Sequence, residues 1–207
     1  MTSKVVISFA LLTLSCSLST AAHSYDKQYL DHAVELFSKK MIAEPKSDQT
    51  YFSRGAIYKE LGEFEKALAD LNKAIQLNPK SMPYWVERGA IKGSLKDFAG
   101  EVKDLTSAIA LNSTSGNPSA LYVMRAGAYI AMKDYAHGLT DCNQAISLNP
   151  KSDKAHVLRA MVYIKAGKKI AAMDDVTKAI SINPKNGDAY TVRAQLHNHE
   201  ANEVPAK

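Results

Sequence analysis

The side chains best suited to chemistry in this 207-residue chain are six histidines and two cysteines. His23, His32, His137, His156, His197 and His199 do not fall at a metal-binding spacing, and the nearest pair, His197 and His199, points to different sides of a helix. They are expected to be structural or surface residues. Cys142 stands where a second helix would carry a large apolar residue, which suggests an inert buried thiol and not a nucleophile. No Ser-His-Asp order, glycine-rich phosphate loop or placed carboxylate pair is present, so no enzyme, metal or cofactor is expected. The charged residues follow a different logic. Asp70, Asp104, Asp141 and Asp175 lie 34, 37 and 34 residues apart, and Arg54, Arg88, Arg125, Arg159 and Arg193 keep the same spacing. Two series in one register indicate a ladder of ion pairs. Because Arg193 has no second helix of its own, each Asp is assigned to the next Arg: Asp70 to Arg88, Asp104 to Arg125, Asp141 to Arg159 and Asp175 to Arg193.

The elements that carry this ladder are repeats. DLNKAIQLNPKS, DLTSAIALNSTS, DCNQAISLNPKS and DVTKAISINPKN recur along the chain. Within a unit, apolar residues recur at three and four, as in Tyr51, Ile57, Tyr58, Leu61 or Leu68, Leu71, Ala74, Ile75, which is the helical period. Each unit is therefore two short helices joined by a turn such as Leu61-Gly62-Glu63-Phe64 or Met132-Lys133-Asp134-Tyr135. Asn78-Pro79, Asn149-Pro150 and Asn183-Pro184 end the second helices, with Asn expected in the left-handed conformation and Pro unable to continue.

From about Asp48 to Glu200 these residues resemble the tetratricopeptide repeats, best in the first full unit through Tyr51, Gly55, Tyr58, Ala67, Leu71, Ala74 and Pro79. The resemblance implies an all-α, right-handed α-solenoid of about four helix pairs, at 48–81, 82–118, 119–152 and 153–186. Gly55, Gly89, Ala126, Ala160 and Ala194 would let the paired helices approach, as would Ala74, Ala108, Ala145 and Ala179 from the second helices. Tyr51, Trp85, Tyr122 and Tyr190 would fill the space between neighbouring units. Arg in place of the usual Leu at the seventh position is a departure. The second unit also departs, with Lys92 for Tyr and Glu101 for Ala; an ion pair between these two would offset the change, in what should be the least stable repeat. Its exit loop, Ser113 to Ser119, holds the three extra residues and the sequon Asn112-Ser113-Thr114, which matters only in a eukaryotic host.

The function implied by the resemblance is protein binding in a concave groove lined by the first helices. The groove rows of the family fall here on Phe52, Ala56, Val86, Ala90, Val123, Gly127, Ile130, Val157, Met161 and Ile164, with Lys59, Lys154 and Lys165 at the rim. Such an apolar trough suits an amphipathic helix or an apolar peptide with acidic flanks. The alternatives are that these Val and Ile residues are core, or that the chain's own N-terminal helix covers them. Of the Lys, Asn and Arg set that clamps a C-terminal carboxylate in chaperone-binding relatives only Lys154 is present, so a clamp is not expected. A self-associating structural scaffold of the cell envelope is the alternative function.

The ends complete the plan. Lys4, an apolar run from Val5 to Leu14 and small residues ending at Ala22 read as a secretory signal over 1–22. That run is about half the length a membrane-spanning helix needs, so no stable span is expected after cleavage. Removal of Cys16 with the signal leaves Cys142 unable to form an internal disulfide, and the mature protein should be periplasmic or secreted. Residues 23–47 contain a capping helix from Tyr25 to Ala43, 187–200 a polar C-terminal cap, and 201–207 a disordered tail. Residues 119–207 carry 12 basic and 8 acidic side chains, scattered over helical sequence, so a solvated face is expected and nucleic acid is not.

Overall fold

The computed structural model describes residues 20–111 and 118–203. Ten helices are present among them: α1 (Thr20–Ala43), α2 (Asp48–Glu60), α3 (Phe64–Leu77), α4 (Met82–Ser94), α5 (Phe98–Leu111), α6 (Ser119–Ala131), α7 (Tyr135–Leu148), α8 (Asp153–Lys165), α9 (Lys169–Ile182) and α10 (Gly187–Glu203). Four hairpins, α2–α3, α4–α5, α6–α7 and α8–α9, stack in order, and α1 and α10 close the ends. The first helix of a unit also touches the first helix of the next, α2 with α4, α6 with α8, and α8 with α10. The architecture is the expected α-solenoid.

Small residues set the hairpin spacing. Ala126, Ala160, Ala74, Ala108, Ala145 and Ala179 are all fully buried. At Gly55 an added Cβ would lie 3.3 Å from the Ala67 carbonyl oxygen, from Asp70 Cβ and from Leu71 Cγ, so a side chain there would press directly on α3. Around these contacts sit local cores, such as Ala67, Leu71 and Ile91 in the first interface and Val157, Ala160, Val176, Ala179 and Val192 in the last. Tyr51 and Trp85 pack against Ala74, Ile75 and Tyr84 between units, as expected. Tyr190 does not, being 39% exposed on the final helix.

The helix stops differ from expectation. Asn78, Asn149 and Asn183 have φ of −141°, −141° and −133°, so none is left-handed. Asn ends these helices through its side chain instead. Asn78 donates to Asp48 and Asn183 to Asp153, at 2.8 and 2.7 Å, tying the ends of α3 and α9 to the starts of their own first helices, while Asn149 Oδ1 accepts from the Lys151 N–H. These bonds hold both carboxyls below the usual range: at Asp48 the Asn78 bond dominates, while at Asp153 burial pushes upward and the bonds from Asn183 and Asn186 outweigh it. The left-handed residues lie in the turn inside each hairpin, at Gly62, Lys96, Lys133 and Gly167.

The ends differ in detail as well. α1 begins at Thr20, not Tyr25, and the signal expected over 1–22 falls outside the described residues up to Ser19. Ser119 belongs to α6 and not to the exit loop, whose sequon also lies outside the described residues. Ala201 to Glu203, expected in a disordered tail, continue α10; the rest of that tail, 204–207, lies outside the described residues. No helix among the described residues is long and apolar enough to cross a membrane.

Candidate functional site: the inner face of the first helices

The charge ladder exists, but within units. Arg54 Nε and Nη2 donate to the two carboxylate oxygens of Asp70 at 2.7 and 2.8 Å. Arg88 holds Asp104, Arg125 holds Asp141 and Arg159 holds Asp175 in the same forked geometry, at 2.6 to 2.8 Å. The next-unit assignment is therefore wrong. Partners lie 16 residues apart because Arg follows the antiparallel register of the hairpin: Gly55, beside Arg54, faces Asp70 Cβ. All four aspartates are buried, and their hydrogen bonds hold the guanidinium pKa of Arg54, Arg125 and Arg159 above its ordinary value against the opposing effect of burial.

The third guanidinium nitrogen reaches back into the preceding unit. Arg54 Nη1 donates to Ser38, Arg88 Nη1 to Asn72, Arg125 Nη1 to Thr106 and Arg159 Nη1 to Asn143, at 2.6 to 2.9 Å. Each acceptor beyond Ser38 sits two residues after that unit's Asp. This arm was missed in the sequence, although the Asn or Thr recurs with the Asp. Lys92 also differs from expectation: it bonds Asp104 at 2.9 Å, not Glu101. Glu101 instead lies over Gly93, where a Cβ would fall 2.5 Å from its carboxylate, and burial raises its carboxyl above the usual range.

Other reactive side chains are absorbed by the scaffold. Cys142 is fully buried and its thiol is pushed up to about 12, chiefly by burial, so little thiolate exists at neutral pH. His156 is buried, with Nδ1 2.8 Å from Asp175 and Nε2 3.4 Å from the Pro150 carbonyl. It occupies the place where Tyr51, Trp85 and Tyr190 donate to the carbonyls of Pro45, Pro79 and Pro184. Among the described residues, no group of three or more His, Cys, Asp or Glu is placed to hold a metal.

The expected groove divides into two parts. At its N-terminal end Phe52 packs against Tyr84 with ring centroids 4.7 Å apart and the rings tilted by 31°, Val86 packs on Leu105, Ala108 and Leu121, and Lys59 is paired with Glu87. These residues serve packing, and Lys59 is not a free rim cation. Toward the C-terminal end the face opens. Beyond Gly127 there is empty space, with nothing within 4 Å of where a Cβ would point. A cleft of about 470 Å³ lies between α6, α8 and α10, with Val123, Val157, Leu158, Met161 and Val192 as its apolar lining. Lys154, Asn186, Asp188, Thr191 and Gln195 supply its polar atoms.

Two corrections follow for single residues. Val157, expected to be exposed, is only 4% accessible and belongs to the core with Val192, so it forms the base of the cleft. Ile130 leans onto Gly138, whose added Cβ would lie 3.0 Å from Ile130 Cγ1, and Ile164 packs on the last core. Ala56 and Ala90 are half-buried on the same face, and Lys165 is exposed but does not line the cleft. Met161, at 37% exposure, is the accessible apolar residue of the set. Asp188, Thr191 and Gln195 are not among the residues the sequence points to, because the polar run after Ala194 suggests a solvating cap. They stand 34 residues after Lys154, Val157 and Met161, so continuing the rows by one period finds them.

A stack of antiparallel helix pairs whose first helices line a cleft defines an α-solenoid of the protein-binding kind. The chain contains tetratricopeptide repeats: the family described as Tetratricopeptide repeat matches residues 49–81, 119–152 and 153–186. No curated protein matches the sequence. Among solved structures, the crystal structure of MamA superposes with a TM-score of 0.71 at 20% identity, covering 82% of this chain and 98% of that one. YrrB, described as a TPR protein with an unusual peptide-binding site, gives 0.66 at 17% identity, covering 82% and 86%. A tetratricopeptide repeat protein from Parabacteroides merdae gives 0.64 at 22% identity, covering 84% and 67%. At these identities the likeness establishes the fold alone.

Proposed function

We propose that this protein is an exported, non-catalytic scaffold that holds a peptide or helix of a partner protein in the cleft between α6, α8 and α10. The observation that carries the proposal is the exposed apolar side chain of Met161 in the lining of the cleft, with nothing within 4 Å of where a Cβ on Gly127, one period earlier, would point. Water-exposed apolar surface inside a concavity is a recurrent mark of binding sites, and methionine adapts to varied side chains. The peptide-binding site in the name of YrrB, a protein of the same fold, is in keeping with this use. Since Lys59 is paired and Lys165 lies outside, the cleft carries Lys154 and Asp188 as its charges, so the fitting segment is apolar, with an acidic group toward Lys154 and a donor toward Asp188.

A photo-crosslinker at Val123 in living cells, with the captured protein identified by mass spectrometry, tests the site. Met161→Asp should abolish capture while leaving helical circular dichroism and the melting temperature nearly unchanged, because Met161 is outside the core. Undiminished capture by the variant would remove the cleft from consideration. Val157→Asp is not a suitable probe, since burying a carboxylate there would unfold the last unit.

A further inference from the structure

α10 is a first helix with no second helix folded against it among the described residues. Its inner side is committed: Ala189, Val192 and Leu196 are buried against the last hairpin, while Asp188, Thr191 and Gln195 face the cleft. Another side is exposed at Tyr190 and Ala194. Gly55, Gly89, Ala126 and Ala160 are buried under their own second helices, whereas Ala194, one period after Ala160, is exposed. Arg193 lies 4.9 Å from the Tyr190 ring, much as Arg88 lies 5.0 Å from Trp85. The four earlier arginines each grip a buried aspartate, but no carboxylate meets Arg193 among the described residues.

We propose that this face of α10 docks an acidic amphipathic helix of a partner protein, which completes the last hairpin in trans and supplies the carboxylate that Arg193 lacks. The internal units define the occupant. In α3 and α9 the second helix presents Ala, then Asp three residues later, a large apolar residue next, and Ala three further on, as Ala67, Asp70, Leu71, Ala74 and as Ala172, Asp175, Val176, Ala179. A planar guanidinium held over a ring favours a bidentate carboxylate, so the acidic residue fixes both affinity and register. Charge argues against a second copy of this chain as the occupant. Among the described residues, the helix of a copy that lacks a first-helix partner is α1, and there Leu36 stands one period before Asp70, exposed along with Tyr29. Docking α1 on α10 would cover Arg193 with leucine and leave its charge unpaired, which is costly.

The test uses the full chain and a labelled peptide spanning Lys169–Ile182, helix-locked by a lactam between Asp174 and Lys178, both of which face solvent in the fold. Fluorescence anisotropy should show saturable binding. Asp175→Asn in the peptide, or Arg193→Gln in the protein, should weaken it by about tenfold or more, the ratio expected for a lost charged hydrogen-bond pair. Reversing both charges, Arg193→Asp against peptide Asp175→Arg, should restore binding, and this arm guards against a merely misfolded variant. Absence of saturable binding, or equal affinity for the Asn peptide, overturns the proposal. Sedimentation showing Arg193-dependent self-association would also overturn it, by placing a second copy on α10.

Discussion

At Asp141, a carboxylate almost without access to water accepts two parallel hydrogen bonds from Arg125, and removing it would leave a guanidinium facing an empty space in the hairpin. Asp141→Ala should therefore destabilise by about 3 kcal/mol, against under about 1 kcal/mol for a surface pair. A drop of several degrees in the thermal midpoint is the expected result, and a change within error would reduce the ladder to decoration. Both members of each pair were legible in the sequence from their common period. Which Arg meets which Asp was not, because the odd end residue, Arg193, points to the next unit whereas the hairpin itself sets the pairing. The small residue beside each Arg contains the answer: the atoms nearest a Cβ on Gly55 all belong to its own second helix, and that contact carries Arg54 to Asp70. Glu101 shows the reverse case, since its expected partner Lys92 found a stronger site beside Asp104, where a buried carboxylate was already in place.

The helices themselves followed from apolar spacing at three and four, and their ends fell close to the expected places because Pro and Gly interrupt the pattern there. Backbone conformation at those ends was less legible. Asn was expected to adopt positive φ, but at Asn78 and Asn183 the side chain bonds to the Asp that opens the unit, a contact across 30 residues that no local rule contains. The positive φ falls instead one residue after the first helix's C-cap, at Gly62 and Gly167 with φ of 74° and 70°, and at Lys96 and Lys133 with 63°. Glycine meets no neighbour within 4 Å at either of its two positions, so the turn asks only for a left-handed residue. Lys133→Gly should stabilise the protein by about 0.5–1 kcal/mol, the strain relieved less the extra chain entropy of glycine. Urea denaturation would show it as a higher midpoint at unchanged slope, and a lower midpoint would mean that the lysine stem contributes packing.

For the whole chain, the stack and its inner face were legible as soon as the period was found, while the location of the open part was not. Cleft exposure depends on which rows are filled by neighbours, and Phe52 and Val86 are covered by residues from the following unit. Export is a further expectation of the proposed function. Protein recovered from the envelope or medium should give an N-terminal sequence beginning near Ala22 or His23, and recovery of an intact Met1 form in the cytosol would contradict it. The backward arm of each arginine gives the stack a polarity. Loss of the first unit strips Arg88 of Asn72, whereas loss of the last leaves the arginines before it fully bonded. Fraying from the N-terminal end thus loosens each successive lock, and fraying from the C-terminal end stops at the first intact one, so the array unzips more readily in one direction than the other.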